Sequence, residues 1–284
     1  MSALETGVSS AWQGISVSHL YNLRRGKVYV RKRGKVEKTR PTRVNIGERR
    51  VPRPEGRPGF LRVDSVHSGD WDGAKGLSLI NMVDEVTQYQ LVAAVPRLGE
   101  QHLLPALEGL LEAFPFTILG FHADNGSEYV NHQVAGLLNK LLVEFTKSRP
   151  RRSNDNALVE SKNGSVVRKH LGHAHIPAKG AEAVNAFLRE HFWAYLNYHR
   201  PCFFPTTEID AKGRQRKRYR YEDLMPPYDK LKSLPNATAY LKPGVSWDLL
   251  DRLAAEVSDN EAAKRMNEAR EKLFLSLNRQ AGAA

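Results

Sequence analysis

The order of apolar segments between residues 60 and 171 constrains the fold of this chain more than any other sequence feature. Three runs with β-strand patterning come first, at Phe60–Val66, Leu77–Val83 and Gln90–Val95. Helical and strand patterns then alternate, in the order Glu100–Phe114, Phe116–Phe121, Asn131–Leu142, Val143–Thr146 and Asn156–Leu171. Three meandering strands followed by alternating helices and strands predict an α/β layer fold with a mixed sheet.

The regions on either side of this pattern differ from it in composition. Residues 1–57 contain one segment of near-helical spacing, at residues 15–24, and then a basic arm rich in proline. Residues 58–200 hold the α/β pattern and end with an amphipathic helix, Ala181–Tyr198. Residues 201–284 begin with prolines and a basic cluster and continue as a helical tail, Trp247–Gln280. We therefore expect an N-terminal arm, one α/β core, and a small C-terminal domain or helical tail.

Positive charge is concentrated in the arm. The 284-residue chain has a formal net charge of +12, and the stretch from Arg24 to Arg57 contains fourteen basic and three acidic residues. Such a run is typical of a solvated linker, and also of an arm that neutralises DNA phosphates and releases counterions. Both interpretations stay open from the sequence, because an extended arm can become ordered on DNA.

Composition also excludes several classes of protein. The single cysteine, Cys202, allows neither an internal disulfide nor a multi-cysteine zinc site, and we expect it to be a small buried residue. No segment has 18 uninterrupted apolar residues, and the first residues lack the pattern of a signal peptide. The basic run also lacks the apolar face of a membrane-surface helix. We expect a cytoplasmic protein whose partner is DNA, with no membrane contact.

Three acidic residues stand where α/β sheets usually place an active site. Asp64 lies inside the first strand pattern, and alternation puts Leu61 and Val63 on the opposite face. Asp124 follows the fourth strand at an Asn-Gly turn, and Glu160 lies on the first turns of a long helix. Carboxylates that converge in this way can hold two Mg²⁺ ions, which activate the attacking oxygen and stabilise the leaving oxygen in phosphoryl transfer.

Basic residues surround these acids and extend over the arm and the C-terminal region. We predict DNA contacts from Arg31, Lys32, Arg33, Lys35, Arg49, Arg50, Lys147, Arg149, Arg151, Arg152, Lys162, Arg168, Lys169, Arg216 and Arg218. Arg168 follows Glu160 by eight residues, or about 80° round an ideal helix, so we expect it to flank the acid.

Other polar residues near the acids have simpler interpretations. Asp84 and Glu85 follow a strand and are expected to stabilise a hairpin turn rather than bind metal. Asp155 is expected to cap the helix that follows it. Glu128 is expected near the acid site, and His122 either orients groups there or simply closes the strand.

Three motifs together resemble the retroviral-integrase-like catalytic core of DDE transposases. They are Val63–Ser65, Phe121–Tyr129 and Ser148–Ser161, and the 35 residues between Asp124 and Glu160 equal the typical spacing of that family. The resemblance covers residues 58–200 and implies an RNase H-like mixed five-stranded sheet flanked by helices. Two departures are visible. Val167 stands seven residues after the glutamate, where relatives often carry Lys or Arg, and about one helix precedes the core instead of a complete helix-turn-helix.

The resemblance implies an insertion-sequence transposase that cleaves DNA 3′ ends and transfers the strands to a target. Asp64, Asp124 and Glu160 would bind two Mg²⁺ or Mn²⁺ ions, and a homodimer or higher oligomer would pair the DNA ends. Two alternatives stay open: an RNase H-like nuclease without strand transfer, and a non-catalytic DNA-binding remnant of a transposon.

Overall fold

The computed structural model describes residues 46–210 and 213–282, together with residues 16, 18, 19, 22, 25 and 26. The predicted N-terminal helix lies mostly outside these residues, and so do Arg31, Lys32, Arg33 and Lys35 of the basic arm. Within the described part of the chain, no helix combines the length and the apolar character needed to cross a bilayer.

A mixed β-sheet forms the centre of the protein. The described strands are β1 (Glu48–Arg49), β2 (Phe60–His67), β3 (Asp70–Trp71), β4 (Ala74–Lys75), β5 (Ser78–Asp84), β6 (Gln90–Val95), β7 (Gly120–Ala123), β8 (Glu144–Lys147), β9 (Cys202–Phe203), β10 (Thr206–Ile209), β11 (Gln215–Arg218) and β12 (Leu224–Met225). Six of them form one sheet in the order β1-β8-β7-β2-β5-β6. β2, β5 and β6 pair antiparallel, whereas β7, β8 and β1 continue parallel to β2. This is an RNase H-like α/β sheet, as expected, with one additional edge strand.

That edge strand, β1, comes from the end of the basic arm. Glu48 pairs with Thr146 and Arg49 pairs with Lys147 of β8, in parallel register. The sequence predicted an extended path here but no place in the sheet, because a two-residue strand leaves no periodic pattern. Its pairing brings the last part of the arm to the same sheet edge as the end of β8.

Helices cover both faces of the sheet. They are α1 (Glu100–Ala113), α2 (His132–Lys140), α3 (Ala157–Lys162), α4 (Ala181–Phe187), α5 (Pro227–Lys232), α6 (Trp247–Ala255) and α7 (Asp259–Gly282). Two of them continue in wider turns: α3 through a π-helix, Asn163–Arg168, to Lys169–Leu171, and α4 through the π-helices Leu188–Phe192 and Tyr195–His199. The layer order is therefore helices, sheet, helices.

Two apolar clusters, one on each face, hold these layers together. Leu61 and Val63 of β2 pack in the cluster that includes α1 and α2, whereas Val66 packs in the cluster that includes α4, α7 and the helical continuation of α3. The predicted two-fold alternation of β2 is confirmed. The C-terminal region shares both clusters, since Leu231 of α5 belongs to the first and Met266 of α7 to the second.

Two predicted elements are wrong in their bounds. The fourth strand is Gly120–Ala123 rather than Phe116–Phe121. The backbone of Phe116 forms a β-bridge with Leu241 outside the central sheet, so the strand within the sheet begins only at Gly120. The helical tail is two helices, not one. It breaks before α7, where the Ser258 hydroxyl accepts a hydrogen bond from the backbone N–H of Glu261 and begins a new helix.

Gly59 joins three segments just before β2. Its N–H donates to Asp84, and its carbonyl accepts from the N–H groups of Leu119 and Gly120. Its φ is +103°, and a Cβ there would lie 2.3 Å from the carbonyl oxygen of Thr117. Because that neighbour is backbone, it has little freedom to move away.

We expect Gly59→Ala to lower the free energy of unfolding by about 3 kcal/mol or more, through backbone strain and this clash. Urea unfolding followed by tryptophan fluorescence measures the loss. Gly56→Ala is the matched control, because Gly56 also has a positive φ, +79°, but open space around its Cβ position. Strain alone should lower stability there by about 1–2 kcal/mol. Equal losses at both glycines would contradict the role of the Gly59 contact.

Candidate active site

Asp64 is held in place by hydrogen bonds to both carboxylate oxygens. Oδ1 accepts from the backbone N–H of Ser65 at 2.8 Å, and Oδ2 accepts from the side-chain amide of Asn163 at 2.7 Å. Asn163 lies three residues after Glu160, at the start of the π-helix that continues α3. The carboxylate is therefore oriented by its own strand and by the helix that carries the third acid.

A chain of side-chain amides holds Asn163 in position for its hydrogen bond to Asp64. Asn81 of β5, which pairs with Asp64 in the sheet, donates to Asn163 at 2.8 Å, and Gln90 of β6 donates to Asn81 at 2.8 Å. Sequence reasoning missed all three amides. One signal was present, since Asn81 is the polar residue inside an apolar strand, but its partner is 82 positions away.

Asp124 follows β7 directly and begins the Asn-Gly turn predicted for it. Its Oδ1 accepts from the N–H of Gly126 at 2.7 Å, which fixes the carboxylate against the turn. A Cβ on Gly126 would lie 2.4 Å from the Glu128 carboxylate, so a larger residue here would displace the end of that side chain. The Glu128 carboxylate accepts from the Ser65 hydroxyl at 3.2 Å and thereby reaches β2 beside Asp64.

Glu160 is exposed on α3 and lines one cleft together with Asp124. The cleft has a volume of about 370 Å³. Arg151 and Arg152, in the loop before α3, line the same cleft and are exposed. Neither arginine forms an ion pair with another residue of the described ranges.

Burial and like charge act together on the acids. Burial raises the pKa of Asp64 to about 7, and the negative charges of Asp124 and Glu160 contribute, against hydrogen bonds from Ser65 and Asn163 that lower it. Burial likewise raises the pKa of Glu128, with a further contribution from Asp124. The structure thus brings the three predicted acids within electrostatic reach of one another.

The donor chemistry of this cluster fits a hard divalent cation. Within residues 46–210 and 213–282 no cationic side chain forms an ion pair with Asp64, Asp124 or Glu160, so their negative charge is left without a counterion. In the same ranges, however, no three His, Cys, Asp or Glu side chains converge closely enough to enclose a metal ion. The carboxylates therefore have the right oxygen donors but would have to move together to hold one.

The basic residues nearest the acids differ in what they contact. Arg49 of β1 donates to the Asn125 side chain at 2.8 Å, beside Asp124. Arg50 is held by Glu48 and Glu144, and Arg149 by a bidentate pair with Asp155. Lys147 is 2% exposed. Of these four predicted DNA contacts, Arg49 contacts the turn that carries Asp124, and Arg149 lines the acid cleft.

The other predicted contacts lie on different surfaces. Lys162 is buried against Cys202, and Arg168 donates to the backbone carbonyl of His67 at 2.7 Å. Lys169 is exposed on the last turn of the same helix. Arg216 and Arg218 are exposed on β11, where they pair with Asp210 and Glu208. The structure does not bring these five residues together with the acid cleft.

Arg168 does not line the acid cleft but donates to the backbone carbonyl of His67. Val166 and Val167, in the π-helix after α3, lie inside the second apolar cluster. The position where relatives often carry a cation is thus a core position here.

Most of the simpler interpretations hold. Asp84 accepts hydrogen bonds from the N–H groups of Gly59, Val86 and Thr87 and from the Thr87 hydroxyl, which confirms its role in the turn. His122 is fully buried between Thr146 and Ser148, and burial lowers its pKa to about 3, so it closes the strand as a neutral ring.

The cap assigned to Asp155 is wrong. Asn156 occupies the cap position of α3, and the Asp155 carboxylate instead accepts from the backbone and guanidinium of Arg149.

The sheet and its flanking helices form a mixed α/β core. No protein-family model matches the chain. The chain is 30% identical to the uncharacterized protein y4rM of Sinorhizobium fredii (strain NBRC 101917 / NGR234). The match extends over 163 residues and covers 57% of this chain and 47% of that protein. The chain therefore spans about half the length of this curated relative.

The solved structures to which the chain is similar include the following two. The crystal structure of the catalytic core domain of BIV integrase is 16% identical with a TM-score of 0.39, over 62% of this chain and 95% of that one. The cryoEM structure of the simian T-cell lymphotropic virus intasome in complex with PP2A regulatory subunit B56 gamma is 14% identical with a TM-score of 0.35. The match covers 58% of this chain and 55% of that one.

Proposed function

We propose that the chain is a metal-dependent DNA strand transferase of the DDE type. One observation carries the proposal: Asp124 and Glu160 line a single cleft with two unpaired arginines, and their charges reach Asp64. The unpaired acids suit hard divalent cations, and the exposed arginines beside them suit the phosphates of a nucleic-acid substrate.

In this proposal the reaction has two steps on one site. Water attacks a phosphodiester at the element end, breaks its bond to the 3′ oxygen and leaves a free 3′-hydroxyl. That hydroxyl then attacks a phosphodiester of the target in line, forming a new bond to phosphorus and releasing a target 3′-hydroxyl. No covalent bond to the protein forms, so the chain contributes positioning and charge.

The protein's side chains have distinct tasks. Asp64, Asp124 and Glu160 would hold Mg²⁺ or Mn²⁺, which when bound activates the attacking oxygen and stabilises the leaving one. Asn163 and the Ser65 N–H orient the Asp64 carboxylate, and the Gly126 N–H orients that of Asp124. A homodimer or larger assembly would pair two DNA ends, as the sequence resemblance implies.

Transfer of a labelled strand tests this function. A labelled duplex made from the genomic DNA flanking the coding region is incubated with the protein, plasmid and Mg²⁺. We expect label covalently joined to the plasmid and no joining when EDTA is present. Cleavage without joining would overturn strand transfer in favour of an RNase H-like nuclease. Binding without either product would leave only the DNA-binding alternative.

We expect Arg151 and Arg152 to contact DNA phosphates at the mouth of the cleft. The double substitution Arg151→Gln with Arg152→Gln should reduce the slope of log binding constant against log salt by about 0.9 for each lost contact. Fluorescence anisotropy over a range of salt concentrations measures that slope. Arg265→Gln is the control, because Arg265 is exposed on α7 and paired with Glu261. The proposal is contradicted if the control lowers the slope as much.

A further inference from the structure

A second cavity, larger than the acid cleft, lies behind the helix that carries Glu160. Its volume is about 760 Å³, within the usual range for ligand pockets. Leu158, Lys162 and Ser165 line it from α3 and its π-helical continuation, at about 140–160° round an ideal helix from Glu160. The other walls come from residues 200–206, from β11 and the segment after it, from Lys230 of α5, and from the turn between β5 and β6, which contributes Glu85, Val86 and Gln88.

Three cationic groups in the walls of this cavity form no ion pair with a described carboxylate, although Glu85, which lines the cavity and pairs with Arg62, lies within electrostatic reach of one of them, Lys217. Lys162 is 6% exposed, and the partner found for its Nζ among the described residues is the Cys202 sulfur, at 3.1 Å. Arg200 and Lys217 line the same space, and no described carboxylate pairs with either of them. A buried ammonium that donates to a thiol keeps capacity for a stronger acceptor, such as a phosphate oxygen.

Exposed aromatic rings stand beside these cations. Phe203 and Tyr219 line the cavity, are 43% and 60% exposed, and have ring centroids 6.1 Å apart. Tyr221, 88% exposed, lies 6.4 Å from Phe203. Large rings left in solvent next to cations are the elements of a platform for unpaired bases.

One wall residue also lacks a hydrogen-bond donor. Oδ2 of Asp223 is buried and has no partner among the described residues, although Asp223 lines the cavity. The amino group of a base is a donor of the kind this oxygen lacks.

We propose that this cavity binds one unpaired nucleotide of a DNA strand. The base stacks on the face of one of the two perpendicular rings, Phe203 or Tyr219, and packs against the edge of the other, and the phosphate lies against Lys162, Arg200 and Lys217. The site requires neither a metal ion nor the three acids, so it stands independently of the proposed strand transfer. Because the cavity and the acid cleft lie on opposite sides of α3, the cavity can bind one DNA strand while the acid cleft binds another part of the duplex.

The affinities of the chain for two DNA duplexes, measured at the same salt concentration, test the proposal. The duplexes have the same paired length, but one is blunt and the other has a short single-stranded overhang. The wild-type chain should bind the overhang duplex more tightly. Phe203→Ala and Tyr219→Ala should each weaken overhang binding about tenfold, through lost stacking, and leave blunt binding within about twofold. Lys217→Gln should weaken overhang binding and reduce its salt dependence.

Trp71→Ala is the matched control, because Trp71 is 50% exposed on β3 and does not line the cavity. It should leave both affinities unchanged. Circular dichroism checks that each variant is folded. No preference for the overhang in wild type, or equal losses for both duplexes in the aromatic variants, would overturn the proposal. Asp124→Asn should retain the preference, so a failure of strand transfer alone leaves this site standing.

Discussion

Replacing any one of the three acids is expected to abolish metal-dependent strand joining while DNA binding persists. Asp64→Asn, Asp124→Asn and Glu160→Gln each remove a charge but keep the shape of the side chain. A lost metal ligand should raise the barrier by about 4 kcal/mol, or roughly a thousand-fold in rate. The joining assay with a labelled duplex measures the rate, and anisotropy measures binding to the same duplex.

The substitution Glu128→Gln is the matched control, because it tests whether a neighbouring acid matters as much for strand joining as the three acids do. The Glu128 carboxylate accepts from Ser65 and is affected by the charge of Asp124 alone, whereas Asp64 is affected by the charges of both Asp124 and Glu160. We expect the substitution to reduce joining by about tenfold at most, through the position of Asp64. A thousand-fold loss for Glu128→Gln, or full activity for Asp124→Asn, would show that the acids have been assigned wrongly.

Asp84→Asn is expected to destabilise the fold more than any other single polar substitution considered for this sheet. The Asp84 carboxylate accepts four hydrogen bonds, three of them on Oδ2 from Val86 and Thr87. An amide must place its N–H₂ group against either these donors or the Gly59 N–H. The unmade bonds should lower the free energy of unfolding by about 2–4 kcal/mol.

Urea unfolding at about pH 8 is the measurement, because burial raises the pKa of Asp84 to about 6 and the carboxylate is ionised above it. Asp72→Asn is the control. Asp72 is exposed in the turn between β3 and β4 with φ +46°, a conformation that Asn adopts readily. Its effect should stay within about 0.5 kcal/mol. A comparable loss in the control would mean that the network around Asp84 contributes little.

Local patterns were sufficient to predict the central layer of the fold. The alternation of Leu61, Val63 and Asp64 placed the acid on the correct face of β2, and the Asn-Gly turn placed Asp124 at the end of β7. Both predictions needed only neighbours in sequence, since side-chain direction in a strand has a period of two.

Contacts between distant segments could not be predicted in this way. The bond from Asn81 to Asn163 joins residues 82 positions apart, and Lys162 faces Cys202, 40 positions away. Arg168 donates to the backbone carbonyl of His67, 101 positions away, instead of flanking Glu160 at the acid cleft. In each case tertiary packing decides the outcome, and no local pattern carries it.

The position of bound metal tests the central claim most directly. Crystals of the chain with a DNA duplex and Mn²⁺, measured by anomalous diffraction, show where the cation binds. The account predicts anomalous peaks between the carboxylates of Asp64, Asp124 and Glu160, lost in Asp124→Asn. Mn²⁺ bound at other residues, with these three carboxylates apart and uncoordinated, would contradict it.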